Sequence, residues 1–221
     1  MLHCTIISAA FVICSHNIVK LYNNNNVISH GVTLLVNTLF SIFNIYCFFS
    51  LFPFNDIQSI YYPHNPPASL QSLQISYELG YYIGYLIYDL NIRRHDMLLH
   101  HILAMALITC GNLFGYNHFI NLSLFIFAPS TPFLAATKFF RLLKFQVLTK
   151  ASFMTFALLF FVFRIVILSC FLKLTIIDGW YLADRVHYFT ANSLLVSLYI
   201  MQIYWFTKIV HILKKNFRLS T

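Results

Sequence analysis

The chain has 221 residues, of which 59% are apolar, 18% aromatic and only 9% charged. That composition excludes a soluble globular domain, and the apolar residues fall in long blocks rather than along one helical stripe. The net charge of +8 does not point to nucleic acid, because most of the basic residues cluster in short segments between or at the ends of the blocks and near the C-terminus.

Seven blocks are long enough to cross a bilayer, which predicts an all-α polytopic membrane protein of about seven transmembrane helices with no soluble domain left over. The first, Leu2–Val19, has no basic residues ahead of it, and Lys20 follows the apolar stretch; this reads as an uncleaved helix rather than a signal peptide. Asn23–Asn26 is a polar, low-complexity run expected to be a solvated loop. The second block, Val27–Phe52, carries His30 one turn inside its start. The Pro-rich stretch from Pro53 to Pro67 forms the longest loop, expected to be a surface cap without chemistry.

The third block, Leu70–Leu90, places Glu78, Tyr82, Tyr85 and Asp89 on one helical face, with Gly80 and Gly84 on a neighbouring face suited to close packing. A helix so striped is not lipid-exposed all round and should line something. The fourth block, Met97–Cys110, gives a full span when extended to Tyr116, and holds the adjacent pair His100 and His101. The fifth, Phe119–Thr137, contains Pro129, Ser130, Thr131 and Pro132. Two prolines so close must distort the helix and free carbonyls, some of which Ser130 and Thr131 can satisfy. The sixth, Ser152–Thr175, holds Arg164 near its middle, too deep to snorkel. The seventh is Val186–Val210, followed by the basic tail Lys214–Thr221.

The charges orient these spans. With seven crossings, Lys20, Arg93, Arg94, Lys138, Arg141, Lys144, Lys150, Lys208, Lys214, Lys215 and Arg218 all fall on one side. Lys173 and Arg185 fall on the other, beside Asp56, Asp178 and Asp184. The positive-inside rule then makes the N-terminus lumenal and the C-terminus cytosolic. The tail is expected to attract anionic lipid at the cytosolic surface.

The same alternation brings His30, Asp89, His100 and His101 to one depth near the cytosolic face. Adjacent histidines point about 100° apart on a helix, so one is expected to face a cavity while the other packs on a neighbour such as Asp89. An imidazole oriented by a carboxylate suits general-base catalysis, and the same residues equally suit a network that fixes helix register. Arg164 lies roughly 20 Å from the cytosolic end of its helix and Glu78 roughly 16 Å deeper than Asp89, which predicts an ion pair between them. No metal site or cofactor is expected. Of ten histidines only His95, His100 and His101 cluster, too few for a di-iron centre, and the five scattered cysteines form neither a disulfide framework nor a zinc pattern.

Taken in order, Ser29-His30, Gly80 to Asp89, Met97-Leu98-Leu99-His100-His101, Ser130-Thr131-Pro132-Phe133, Phe163-Arg164-Ile165 and Gln202-Ile203-Tyr204-Trp205-Phe206 resemble the TLC-domain family. That family includes translocating-chain-associated proteins, ceramide synthases and smaller TLC domain-containing membrane proteins. The resemblance implies a six-helix barrel around a lipid-sized cavity over residues 27–213, an extra N-terminal helix and polar loop over 1–26, and a basic cytosolic tail over 214–221. His100 and His101 match the pair that is catalytic in ceramide synthases. The Ser-Thr-Pro-Phe form of the fifth helix is that of the smaller, non-synthase branch, while Ala104 stands where Thr commonly follows the pair and Ala128 where an acid is common.

The leading expectation is therefore a protein of the endoplasmic reticulum or another endomembrane that binds lipid or acyl chains and takes part in membrane lipid homeostasis, without being an enzyme. Its expected partners are membrane lipids, and nucleic acid is excluded. One alternative is an acyl-CoA-dependent sphingoid-base N-acyltransferase using His100 and His101. Another is a cargo-sorting or translocon-associated protein. The cavity or polar layer is assigned to His30, Glu78, Tyr82, Tyr85, Asp89, Ser130, Thr131 and Arg164.

Overall fold

The computed structural model describes residues 26–52, 69–92 and 95–218. The expected first helix, most of the asparagine run, the Pro-rich cap, Arg93, Arg94 and the last three residues lie outside them. Among the described residues every regular element is helical: α1 Asn26–Leu51, α2 Ser69–Ile92, α3 His95–Leu113, α4 Asn117–Phe127, α5 Thr131–Leu142 and α6 Gln146–Leu159. A π-helical segment, Phe160–Ile167, joins α6 directly to α7, Leu168–Ile177; the short α8, Gly179–Leu182, and the long α9, Arg185–Arg218, complete the chain.

Among the described residues, five helical stretches are long and apolar enough to cross a bilayer: Val27–Leu51, His95–Leu113, Asn117–Leu142, Gln146–Leu182 and Arg185–Lys215. They correspond to five of the seven apolar blocks. The third block forms α2, whose 24 residues reach about 36 Å, but Glu78, Asp89 and its polar side chains leave it outside that set.

Burial is inverted relative to a water-soluble protein. Gln74, Asn121, Ser130 and Gln202 are at most 1% exposed, whereas Leu35, Ile42, Phe49, Leu158 and Ile200 are each more than half exposed. Such a surface is stable only where the surroundings are themselves apolar. Together with the spans, this makes the chain a membrane protein.

Two tight turns reverse the chain by the same device. At the end of α3, Gly115 takes a left-handed φ of 77° while Tyr116 N–H donates to the Gly111 carbonyl at 2.8 Å. At the end of α5, Lys144 takes a φ of 61° while Phe145 N–H donates to the Phe140 carbonyl at 3.0 Å. Both are Schellman-type ends that satisfy carbonyls a helix terminus leaves open. At the opposite face, Asp184 caps α9 by accepting from the Val186 and His187 amides, and Tyr116 accepts from the Asp184 amide at 3.1 Å.

Helix α1 packs on α2, α4 and α5; α5 packs on α6; α2 packs on α3; and α3 packs on α9. Helix α9 returns to the π segment and α7, while α4 touches α1, α3 and the π segment. The largest apolar core gathers Leu107, Phe119, Ile126, Leu168, Phe171, Leu195 and Leu198 from α3, α4, α7 and α9. This core closes the end of the bundle that carries the α3–α4 turn. The other end opens into a cavity.

Candidate functional site: a polar-walled cavity

The cavity has a volume of about 580 Å³ and is bordered by α1–α6, the π segment and α9. Its border mixes polar and apolar side chains. From α1, Ser29, Thr33, Asn37, Ser41 and Asn44 recur every three or four residues, and so lie on one helix face. Leu134, Phe153, Phe156, Phe160, Ile209 and Ile212 supply an apolar part of the border from α5, α6, the π segment and α9, which also bring Lys138, Arg164 and Lys208 to it.

The histidine pair sits on α3. His101 is 5% exposed, and its Nδ1 lies 2.9 Å from Asp89 Oδ2 on α2. The contact is an ion-pair approach, not an aligned hydrogen bond, and it favours the tautomer with the proton on Nδ1. The rings of Tyr82 and Tyr85 lie 5.7 Å from that of His101. His100 turns toward Trp205 of α9, with ring centroids 5.1 Å apart, and its Nδ1 is buried without a hydrogen-bond partner. Both histidines border the cavity. One histidine was expected to face the cavity and the other to pack on a neighbour such as Asp89; His101 does meet Asp89, and it borders the cavity as well as His100.

Deeper in, a chain of amides holds Glu78. Asn44 Nδ2 donates to Glu78 Oε1, Gln74 Nε2 donates to Asn44 Oδ1 at 2.9 Å and to Asn121 Oδ1 at 3.3 Å, and Asn121 Nδ2 donates to the Cys47 carbonyl. Nearby, Tyr81 donates its hydroxyl proton to Asn37. Buried polar groups of this kind persist where each finds a partner.

The proline pair of the fifth block breaks one span into α4 and α5. Thr131 N–H turns to the Ala128 carbonyl, so the Phe127 carbonyl loses its helical donor. Arg164 Nη2 fills that place at 2.7 Å, and Thr131 Oγ1 donates to the same carbonyl at 3.2 Å. Pro132 supplies no N–H to the Ala128 carbonyl, and Ser41 Oγ donates to it across the bundle at 2.8 Å. Arg164 also donates to Thr131 Oγ1 at 2.8 Å and to Gln202 Oε1 at 3.3 Å. Its guanidinium lies 5.4 Å from the Phe127 ring centroid and 5.3 Å from that of Phe160.

A family model for the TLC domain matches residues 26–211. The chain belongs to the TLC-domain family. A comparison with curated proteins found no match. In this TLC domain His30, Glu78, Tyr82, Tyr85, Asp89, His100, His101, Thr131 and Arg164 all border the one cavity. Ser130 does not. It is wholly buried, and its Oγ has no hydrogen-bond partner, so the carbonyl it was expected to satisfy is served by other groups.

The expected Glu78–Arg164 ion pair does not form. Similar depth places both beside the cavity, but Glu78 is held by Asn44 while Arg164 is drawn to the carbonyl that the proline break releases. Where the family pattern commonly has an acid, Ala128 instead presents its carbonyl to Ser41. The residues that sequence reasoning missed are Asn37, Ser41 and Asn44, whose signal was the polar recurrence along the second block. Gln74 and Asn121 were missed as well, and Gln202 was noted only as part of the family pattern. Gln74 precedes Glu78 by four residues, so the stripe Glu78, Tyr82, Tyr85 and Asp89 could have been extended back to it. Among the described residues no group of three or more His, Cys, Asp or Glu could hold a metal ion.

Proposed function

We propose that this TLC-domain protein binds a lipid or acyl chain in its cavity and takes part in membrane lipid homeostasis, as a member of the smaller, non-synthase branch. The observation that carries this reading is the cavity itself. Its volume of about 580 Å³ falls within the range of pockets that enclose small ligands, and its border of both polar and apolar side chains matches an amphiphile. In this reading the spans form a six-helix barrel, preceded by a further helix, in the endoplasmic reticulum or another endomembrane, with the N-terminus lumenal and the C-terminus cytosolic.

The test is lipid analysis by mass spectrometry of the full chain purified in mild detergent. Ala135 borders the cavity and is 4% exposed, so Ala135→Trp fills the space a chain would occupy. Several-fold less co-purified lipid in Ala135→Trp than in the unaltered chain is expected. Equal lipid content in a variant that still elutes as a single folded species would overturn the reading.

A second reading is supported by the Asp89–His101 contact, an acid-oriented imidazole beside an amphiphile-sized cavity. It is N-acyl transfer from acyl-CoA to a sphingoid base. The imidazole would take a proton as the amine nitrogen attacks the thioester carbonyl; the C–S bond then breaks, and the departing thiolate is protonated. Incubation with labelled acyl-CoA and sphingoid base separates the two readings. Product formation that is lost in both His100→Ala and His101→Ala would establish the second, and absence of product with lipid still bound would favour the first.

A further inference from the structure

We propose that the cavity's occupant is a single-chain amphiphile with a monoanionic carboxylate, and that Arg164 receives that carboxylate. The inference rests on the reading of the cavity as a lipid site and names the head group. Arg164 is 8% exposed and borders the cavity from the π-helical segment. Its hydrogen-bond acceptors are all neutral: the Phe127 carbonyl, Thr131 Oγ1 and Gln202 Oε1. Its Nε is buried without any hydrogen-bond partner. Among the described residues no carboxylate pairs with it, and Glu78, on the same cavity, is engaged by Asn44.

A cation inside a membrane bundle with only dipoles around it is costly, and such residues mark ligand or ion pathways. The π segment adds a separate pointer. Wider turns of this type cluster at functional sites, and here one inserts Arg164 between Phe127 and Phe160. An anion at this place would neutralise the charge and accept from the guanidinium. Arg164 brings one charge to this place, while Lys138 and Lys208 border the cavity from other helices; a single charge at Arg164 suits a carboxylate better than a phosphate dianion. A phosphodiester also carries one charge, but it has substituents on both sides of the phosphorus and needs room that a single-chain head group does not. The apolar side chains of Phe153, Phe156, Phe160, Ile209 and Ile212 border the same cavity to take the chain.

The experiment measures binding of radiolabelled oleate, oleyl alcohol and oleoyl lysophosphatidate to the full chain in maltoside micelles. Oleate is expected to bind about tenfold or more tighter than oleyl alcohol, the same chain without charge, and tighter than lysophosphatidate. In Arg164→Gln the preference for oleate over the alcohol should vanish while alcohol binding is kept, and Arg164→Lys should retain part of it. Because Arg164→Gln can lose its fold, the thermal shift of the unaltered chain supplies a measurement free of any variant: oleate should raise the unfolding temperature more than oleyl alcohol does. Equal binding of oleate and alcohol, or a preference that survives in Arg164→Gln, would overturn the assignment of the carboxylate to Arg164 and leave the lipid cavity standing. Tighter binding of lysophosphatidate would replace carboxylate with phosphate. Binding of none of the three would overturn the lipid cavity as well.

Discussion

Asp89 and His101 show how little freedom a polar pair has inside this bundle. Asp89 is 2% exposed and His101 5%, so neither can turn to water if its partner is lost. Removing the carboxylate in Asp89→Ala leaves the His101 Nδ1 site buried and unmatched, which costs about 1–3 kcal/mol. The expected result is a clear fall in thermal unfolding temperature in detergent. Asp89→Asn keeps an acceptor oxygen and should fall less. An unchanged temperature in Asp89→Ala would mean that the contact contributes nothing to the fold. At this scale the sequence was a fair guide: a histidine one turn inside one span and an acid at the matching end of its neighbour predicted a meeting. It was a poor guide to Glu78 and Arg164, whose depths agreed but whose nearest acceptors and donors were set by groups on other helices.

At the scale of elements, the breaks in helices carry as much of the site as the helices do. The Pro129–Pro132 break exposes carbonyls that Arg164 and Ser41 take up, binding α5, the π segment and α1 to one place. Two turns offer direct tests of backbone geometry. Lys144 occupies a left-handed position that costs an L-residue about 1–2 kcal/mol, and its side chain is exposed. Lys144→Gly is therefore expected to stabilise the chain by about 1 kcal/mol, read as a rise in unfolding temperature. A fall would show that Lys144 contributes a contact worth more than the strain. Gly111 gives the opposite case. A Cβ added there would meet Ile120 Cγ1 at 2.7 Å, inside the α3–α4 packing. Gly111→Ala should destabilise by about 1–3 kcal/mol, and the loss should shrink when Ile120 is also reduced to Ala. Equal losses in both backgrounds would place the strain elsewhere.

For the whole molecule, the distribution of basic residues predicts a testable orientation. In a chain whose native cysteines are replaced by serine, Gln146→Cys should react with a membrane-impermeant thiol reagent from the cytosolic side of sealed microsomes. Tyr181→Cys, 81% exposed at the far end, should react only after permeabilisation. The reverse pattern would invert the topology. The sequence by itself determined that the chain is helical and membrane-embedded, where most spans lie, and which family it joins, because hydrophobic blocks and an ordered set of polar positions are local properties written along the chain. It also marked nine of the polar positions that border the cavity, since a buried ionisable residue in an apolar run is conspicuous, but not the uncharged Asn37, Ser41 and Asn44. The tertiary structure alone decided who meets whom. Asn44 rather than Arg164 holds Glu78, and a carbonyl released by a proline break rather than a carboxylate holds Arg164, because partners inside a bundle are chosen by distance across helices and by which backbone groups are left open. Helical spacing fixes a residue's depth and face, but not the neighbour it finds there.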